Sequence, residues 1–103
     1  MAAIKKGYMY SVDIQRCQQN QVWFRFMLHV AGDIKIAIHD PAGDLQIELE
    51  VGDLPPGFYT TRGKSCFWDR RDSGGNIQGI GTGYYAKFYI DTVLQNIGYF
   101  SLD

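Results

Sequence analysis

Val22-Trp23-Phe24-Arg25-Phe26-Met27-Leu28-His29-Val30 is the stretch that decides how this chain is read. Val22, Phe24, Phe26, Leu28 and Val30 fall on one face at a period of two. Trp23, Arg25, Met27 and His29 fall on the other. A helix would need apolar residues at i, i+3 and i+4, and no such stripe runs from residue 22 to residue 51. The segment is a long strand, and its apolar face is core.

The pattern carries forward. Ala31-Gly32-Asp33 is a short Gly-containing reversal, after which Ile34, Ile36 and Ile38 continue the apolar face. Asp40-Pro41-Ala42-Gly43 has Pro at i+1 and Gly at i+3, the chemistry of a type I turn. Leu45, Ile47, Leu49 and Val51 then alternate with Gln46, Glu48 and Glu50. Parity is kept through both turns, so the expectation is a meander of three strands sharing one buried face. Pairing residue 38 with residue 45 would set Lys35 opposite Glu48 on the wet face.

Upstream, residues 8–15 alternate loosely and suit a first strand, with the polar run Gln18-Gln19-Asn20-Gln21 as the connection. Downstream, Phe58 to Thr61 and Ser65 to Asp69 read as a short hairpin through Arg62-Gly63-Lys64. Residues 70–83 hold five glycines and read as a long loop, with a short strand at Ile77 to Ile80. In Tyr84 to Thr92 the residues Tyr84, Ala86, Phe88 and Ile90 face one way, and Tyr85, Lys87, Tyr89 and Asp91 the other. Val93 to Ile97 reads as one helical turn or a loop, and Gly98-Tyr99-Phe100-Ser101 as a closing strand. The sum is a single all-β domain over residues 1–103, an antiparallel β-sandwich or partly open barrel of about 7–8 short strands.

Composition narrows the function. Ten basic and eleven acidic residues give a net charge of −1, which argues against a constitutive binder of nucleic acid or of a membrane surface. So small a net charge does little to oppose association. No apolar run is long enough to span a bilayer as a helix. Met1-Ala2-Ala3-Ile4-Lys5-Lys6 lacks an apolar h-region after its charges. The expectation is a cytoplasmic protein, or an extracellular one whose leader has been removed. Cys17 and Cys66 can pair in an oxidising compartment, yet two cysteines are also an ordinary reduced count.

The run Asp53-Leu54-Pro55-Pro56-Gly57-Phe58-Tyr59 is a stiff corner in its own right. Its prolines fix φ, and Gly57 supplies the turn. Trp68 alternates with Cys66 on one face, a large aromatic suited to plugging an end of the core. Together with Gly63, Cys66-Phe67-Trp68-Asp69-Arg70, Gly74, Ile90 and Gly98-Tyr99-Phe100-Ser101, the corner resembles a small bacterial all-β domain. That domain carries an Asp-Ile-Pro-Pro-Gly-x-Tyr turn, a Cys-Tyr-Trp-x-Arg strand, a Gly-rich loop and a closing Gly-Phe-x-Ser. It recurs in exported and lipid-anchored proteins, mostly of unassigned function. The resemblance covers residues 52–101 and implies a non-enzymatic envelope or extracellular module. In that family a second cysteine commonly follows the closing Ser and pairs with the strand cysteine. None follows Ser101 here, and Cys17 takes that place only if its strand lies beside Cys66.

Catalytic patterns are weak. Asp53, Asp69, Asp72 and Asp91 show no spacing that general acid–base work demands, so no catalytic residue is assigned. His29 and His39 reach the same odd-numbered face of the meander but read as surface histidines; no metal or other cofactor is expected. Gly79-Ile80-Gly81-Thr82-Gly83 neither opens a helix nor precedes a Lys-Ser/Thr pair, so it is no phosphate cradle.

Binding patterns are stronger. Trp68, Arg70, Arg71, Tyr84, Tyr85 and Lys87 form the candidate binding surface, where aromatics and cations meet glycine freedom. Trp23, Arg25 and Met27 form a candidate oligomer face. The plainer alternative places most of these aromatics in the core of so small a domain. The expected function is a non-enzymatic interaction module with a protein partner, a second copy among them. A carbohydrate-binding, lectin-like module is the alternative. Single-stranded nucleic-acid binding on an OB-like sheet is weakened by the charge balance.

Overall fold

The alternation of residues 22–39 does give strands, but they belong to two different sheets. A computed structural model describes residues 6–15, 21–59, 66–68, 71–77, 79 and 81–102. Among them lie β1 (Gly7–Gln15), β2 (Gln21–Leu28), β3 (Gly32–His39), β4 (Leu45–Leu54), β5 (Gly57–Tyr59), β6 (Cys66–Trp68), β7 (Gly81–Ile90) and β8 (Val93–Leu102). All pairing is antiparallel. The first sheet is β1-β2-β5 with β6 also on β2, and the second is β4-β3-β7-β8. The two sheets pack face to face as a small sandwich and do not close into a barrel.

The expected meander is therefore corrected at its first turn. β2 does not pair with β3; the chain leaves the first sheet at His29 and enters the second at Gly32. Val30, expected in the apolar face, is 44% exposed at this crossing. The buried residues are otherwise the expected ones. Val22, Phe24, Phe26 and Leu28 oppose Ile34, Ile36, Ile38, Ala86, Phe88 and Ile90, all essentially inaccessible. Phe26 and Phe88 meet across the gap with ring centroids 5.1 Å apart, and Phe24 meets Phe100 edge-on at 6.2 Å. A lone sheet with one apolar face leaves that face wet. Folding the strip over on itself covers it, at about 2–3 kcal/mol per large side chain.

Two further expectations change. Leu28↔Gly57 and Phe26↔Tyr59 fix β5 on β2, and Phe24↔Cys66 and Val22↔Trp68 fix β6 on the same strand. Both are antiparallel to β2, so β5 and β6 run in the same direction. They form one edge strand interrupted after Tyr59 and resumed at Cys66, not a hairpin. The connection through Arg62-Gly63-Lys64 lies outside the described residues, as do Cys17, Asp69 and Arg70. Residue 38 pairs with Ile47 and not with residue 45, because an irregularity between Ile38 and His39 shifts the register; Leu45 is left 51% exposed. Lys35 then sits opposite Glu50 but still reaches the diagonal Glu48, Nζ to Oε2 at 3.5 Å. The Pro55-Pro56 corner does join the halves, carrying the chain from β4 in the second sheet to β5 in the first. The Tyr59 hydroxyl donates back to the Pro55 carbonyl and pins it.

Val93 to Ile97 is strand, not helical turn or loop. A two-residue connection, Asp91-Thr92, turns β7 into β8 with φ of 50° and 68°. Both values are positive, the hairpin geometry that Asn-Gly adopts with ease. The Asp91 amide donates to the Asp33 carbonyl at 2.9 Å, and the Asp91 carboxylate accepts from the Asp33 amide at 2.9 Å and the Lys6 ammonium at 3.0 Å. These bonds hold a turn that Thr92, β-branched, disfavours.

The sheets are also stitched along one side. The Asn96 amide behaves as a piece of strand: its Oδ1 accepts from the Met9 amide at 2.9 Å and its Nδ2 donates to the Met9 carbonyl at 2.7 Å. Gln95, 8% exposed, accepts from the Lys6 amide at 3.0 Å. Irregularities between Met9 and Ser11 in β1 and between Phe88 and Tyr89 in the β7–β8 pairing make room for this exchange. Gly98 completes the fit, since a Cβ there would stand 2.8 Å from the Met9 methyl.

Two outcomes test this account. Thr92→Gly should raise stability by about 1 kcal/mol by relieving the left-handed strain, read as a higher urea midpoint at unchanged slope. Asn96→Ala should cost about 2 kcal/mol by stranding two backbone groups of Met9, read by the same titration.

Candidate interaction surface

The outer face of β3, β7 and β8 gathers aromatic side chains in register. His39 lies opposite Tyr85 and Tyr85 opposite Tyr99; Ala37, Lys87 and Ile97 form the next row; Lys35, Tyr89 and Leu94 the third. Strand pleating turns Tyr84, Ala86 and Phe88 inward and leaves Tyr85, Lys87 and Tyr89 outward. The His39 ring stacks on Tyr85 at 4.8 Å with 2° between planes, and Tyr85 leans on Tyr99 at 5.7 Å. His39 Nδ1 donates to the Gly43 carbonyl at 3.1 Å, which fixes the ring beside Tyr85. Lys35 Nζ stands 5.1 Å above the Tyr89 ring. Tyr99 is 72% exposed, and the next outward positions of β8, Ile97 and Leu94, are each more than a third exposed.

The expected binding residues divide by burial. Tyr85 and Lys87 lie on this face, half-buried. Tyr84 does not: it is 5% exposed, and its hydroxyl donates to the Gly79 carbonyl at 2.8 Å. Trp68 is 1% exposed and its Nε1 donates to the Arg71 carbonyl at 2.8 Å. Trp68, Tyr84 and Phe100 pack with centroids 5.9 to 6.5 Å apart and form the plug at one end of the core. Arg71 is exposed on the following loop, with its guanidinium donating to the Gly75 carbonyl at 2.9 Å. Arg70 lies outside the described residues.

The expected oligomer face is corrected in one member. Trp23 is 8% exposed, while Arg25 and Met27 are half-buried on the outside of the first sheet. Period two showed that Trp23 faces away from the sandwich core but not that its outer side would be covered. With both tryptophans buried, a stacking surface here consists of tyrosines. Tyr99, Leu94 and Ile97 escaped the sequence reading because the register shift beside Gln95 breaks the alternation of Val93 to Ile97.

Two other features are structural. Of the expected strand from Ile77 to Ile80, Ile77 forms an isolated bridge with Arg71, and Gln78 and Ile80 lie outside the described residues. Asp72 organises the loop between Arg71 and Ile77: Oδ1 accepts from the Asn76 and Gly74 amides, each at 2.9 Å, and these bonds, Asn76's foremost, hold its carboxyl below the usual range. At the other end, Ala31, Gly32, Asp53, Leu54, Pro55 and Asp91 line a shallow open depression. Asp91 is engaged on both oxygens, and the Asp33 amide and then Lys6 lower its pKa. Among the described residues no group of three His, Cys, Asp or Glu is placed to hold a metal ion.

Because folding depresses the Asp91 pKa, its stabilising contribution is complete above the ordinary aspartate value of about 3.9 and disappears as pH falls through the lower folded value. Asp91→Asn should therefore flatten the acid limb of a stability–pH curve below about pH 4, read by thermal melts at stepped pH.

No family model matches the chain, and neither the curated proteins nor the solved structures yield a match.

Proposed function

We propose that this protein is a non-catalytic interaction module whose binding surface is the outer face of β3, β7 and β8, and whose partner is a protein, a second copy of the chain being the simplest. The observation that carries this reading is the row His39–Tyr85–Tyr99, stacked in register and ending in a tyrosine left 72% exposed. Tyrosines on a strand are rigid, lose few rotamers on contact and present both an apolar ring and a hydroxyl, the composition favoured at protein interfaces. The outward positions that continue β8 from Tyr99, Ile97 and Leu94, are aliphatic. Sugar hydroxyls would need polar partners beside the rings, so these neighbours favour a protein surface over the lectin-like alternative. Single-stranded nucleic acid is the weaker occupant, since of the two lysines in these rows Lys35 is tied to Glu48. The resemblance of residues 52–101 to exported bacterial modules would make the partner an envelope or extracellular component.

Sedimentation over a range of protein concentrations tests the reading. The expected result is a monomer–dimer equilibrium weakened at least about tenfold by Tyr99→Asp, with the melting curve retained because the side chain lies outside the core. A strict monomer near 1 mM (a binding free energy weaker than about −4 kcal/mol) would overturn self-association. Ring-proton shifts of Tyr85 and Tyr99 with oligosaccharides in that monomer would put the lectin-like module in its place.

A further inference from the structure

A sandwich has edges, and the described strands treat theirs unequally. β1 and β8 are stitched to each other by Asn96 and Gln95. The edge beyond β2 is divided between β5 and β6, three residues each. β4 is different: it is ten residues long and has a ladder partner, β3, on one side only. Its inward side chains Ile47, Leu49 and Val51 pack against the core but stay half-buried, while Trp68, Phe88 and the β3 isoleucines are sealed. Its outward side chains Glu48 and Glu50 are exposed, and Asp44 and Asp53 flank them. From residue 44 to residue 54 there are four acids and no base.

We propose that the open edge of β4 accepts an added strand, and that the ligand is an extended peptide segment in which apolar and basic side chains alternate. An added strand would continue the second sheet beyond β4, its apolar residues covering Ile47, Leu49 and Val51 and its basic residues meeting Glu48 and Glu50. The chain already makes one contact of this type, since the Ser73 amide donates to the Gln46 carbonyl at 3.0 Å. The charge selects the occupant. Two β4 edges brought together would set glutamates against glutamates, so a second copy of this strand is disfavoured and a cationic segment is not. The pairing shifts beside Ile38 and Ile34 bound the regular run at residues 47–50, so a short segment suffices. This site meets the tyrosine face only at the Lys35–Glu48 pair and does not require the row of Tyr85 and Tyr99.

The test uses the whole protein, labelled with nitrogen-15, and a capped peptide of about eight residues alternating Lys and Val, with its Glu–Val counterpart as control. The expected result is amide shifts and slowed exchange confined to β4 with the Lys–Val peptide. Glu48→Lys with Glu50→Lys should weaken that peptide at least about tenfold and recruit the Glu–Val one. Because Lys35 contacts Glu48, the pair Glu48→Gln and Glu50→Gln provides a milder version, expected to lose the preference for the cationic peptide. Absence of shifts at about 1 mM peptide, equal binding by the charge variants, or shifts centred on Tyr85 and Tyr99 would each overturn the proposal. Tyr99→Asp should leave peptide binding intact, so failure of either surface is distinguishable from failure of the other.

Discussion

The contact of Phe26 with Phe88 across the sandwich is the one on which the other features depend. Each ring has a sealed neighbour two residues away on either side along its strand, and the two sheets share no ladder among the described strands. What holds one sheet to the other is therefore burial, supplemented by the amide bonds of Asn96 and Gln95 and the Lys6–Asp91 pair. A large-to-small change in such a pair costs about 3–5 kcal/mol, a substantial share of the 5–15 kcal/mol by which domains are stable. Exposed Lys6–Asp91 cannot carry a comparable share, because solvent screens it. The core sets the fold, and the polar bonds set its alignment.

That division explains how the edges are handled. A sandwich held by packing alone would slip, and unpaired strand edges would recruit other chains. Along β1 and β8 two side-chain amides replace backbone rungs, made possible by irregular pairing in both strands and by the bare Cα of Gly98. Along β4 the outer edge has no ladder partner among the described strands and is acidic. At the β7–β8 turn the chain accepts positive φ at Thr92 while Asp91 ties Lys6, ahead of β1, and Asp33 of β3 to the turn. Specific bonds offset a locally unfavourable turn.

Of the candidate site, Tyr85 and Lys87 were legible because alternation alone places them outward from Tyr84 and Phe88. Tyr84 and Trp68 were not separable from them in sequence: aromatic rings beside arginines look alike whether they plug a core or face solvent. Trp68 and Tyr84 went inside because each found a backbone carbonyl for its polar atom, Arg71 for one and Gly79 for the other. Tyr99 belongs to the surface only because β8 is a strand throughout, and the register shift beside Gln95 hides that from a period-two count.

The sequence by itself determined the class of the protein and the identity of its core. Period two in residues 22–51 and 84–90 specifies strands and selects the buried face, because pleating alternates side chains whatever the strand is paired with. For the same reason it could not say which strands are neighbours. That β2 and β3 part company, that β5 and β6 are one interrupted edge, and that His39, Tyr85 and Tyr99 meet in one row were decided by tertiary structure. Pairing is fixed by which apolar faces cover each other and where irregular residues shift the register, and both are long-range.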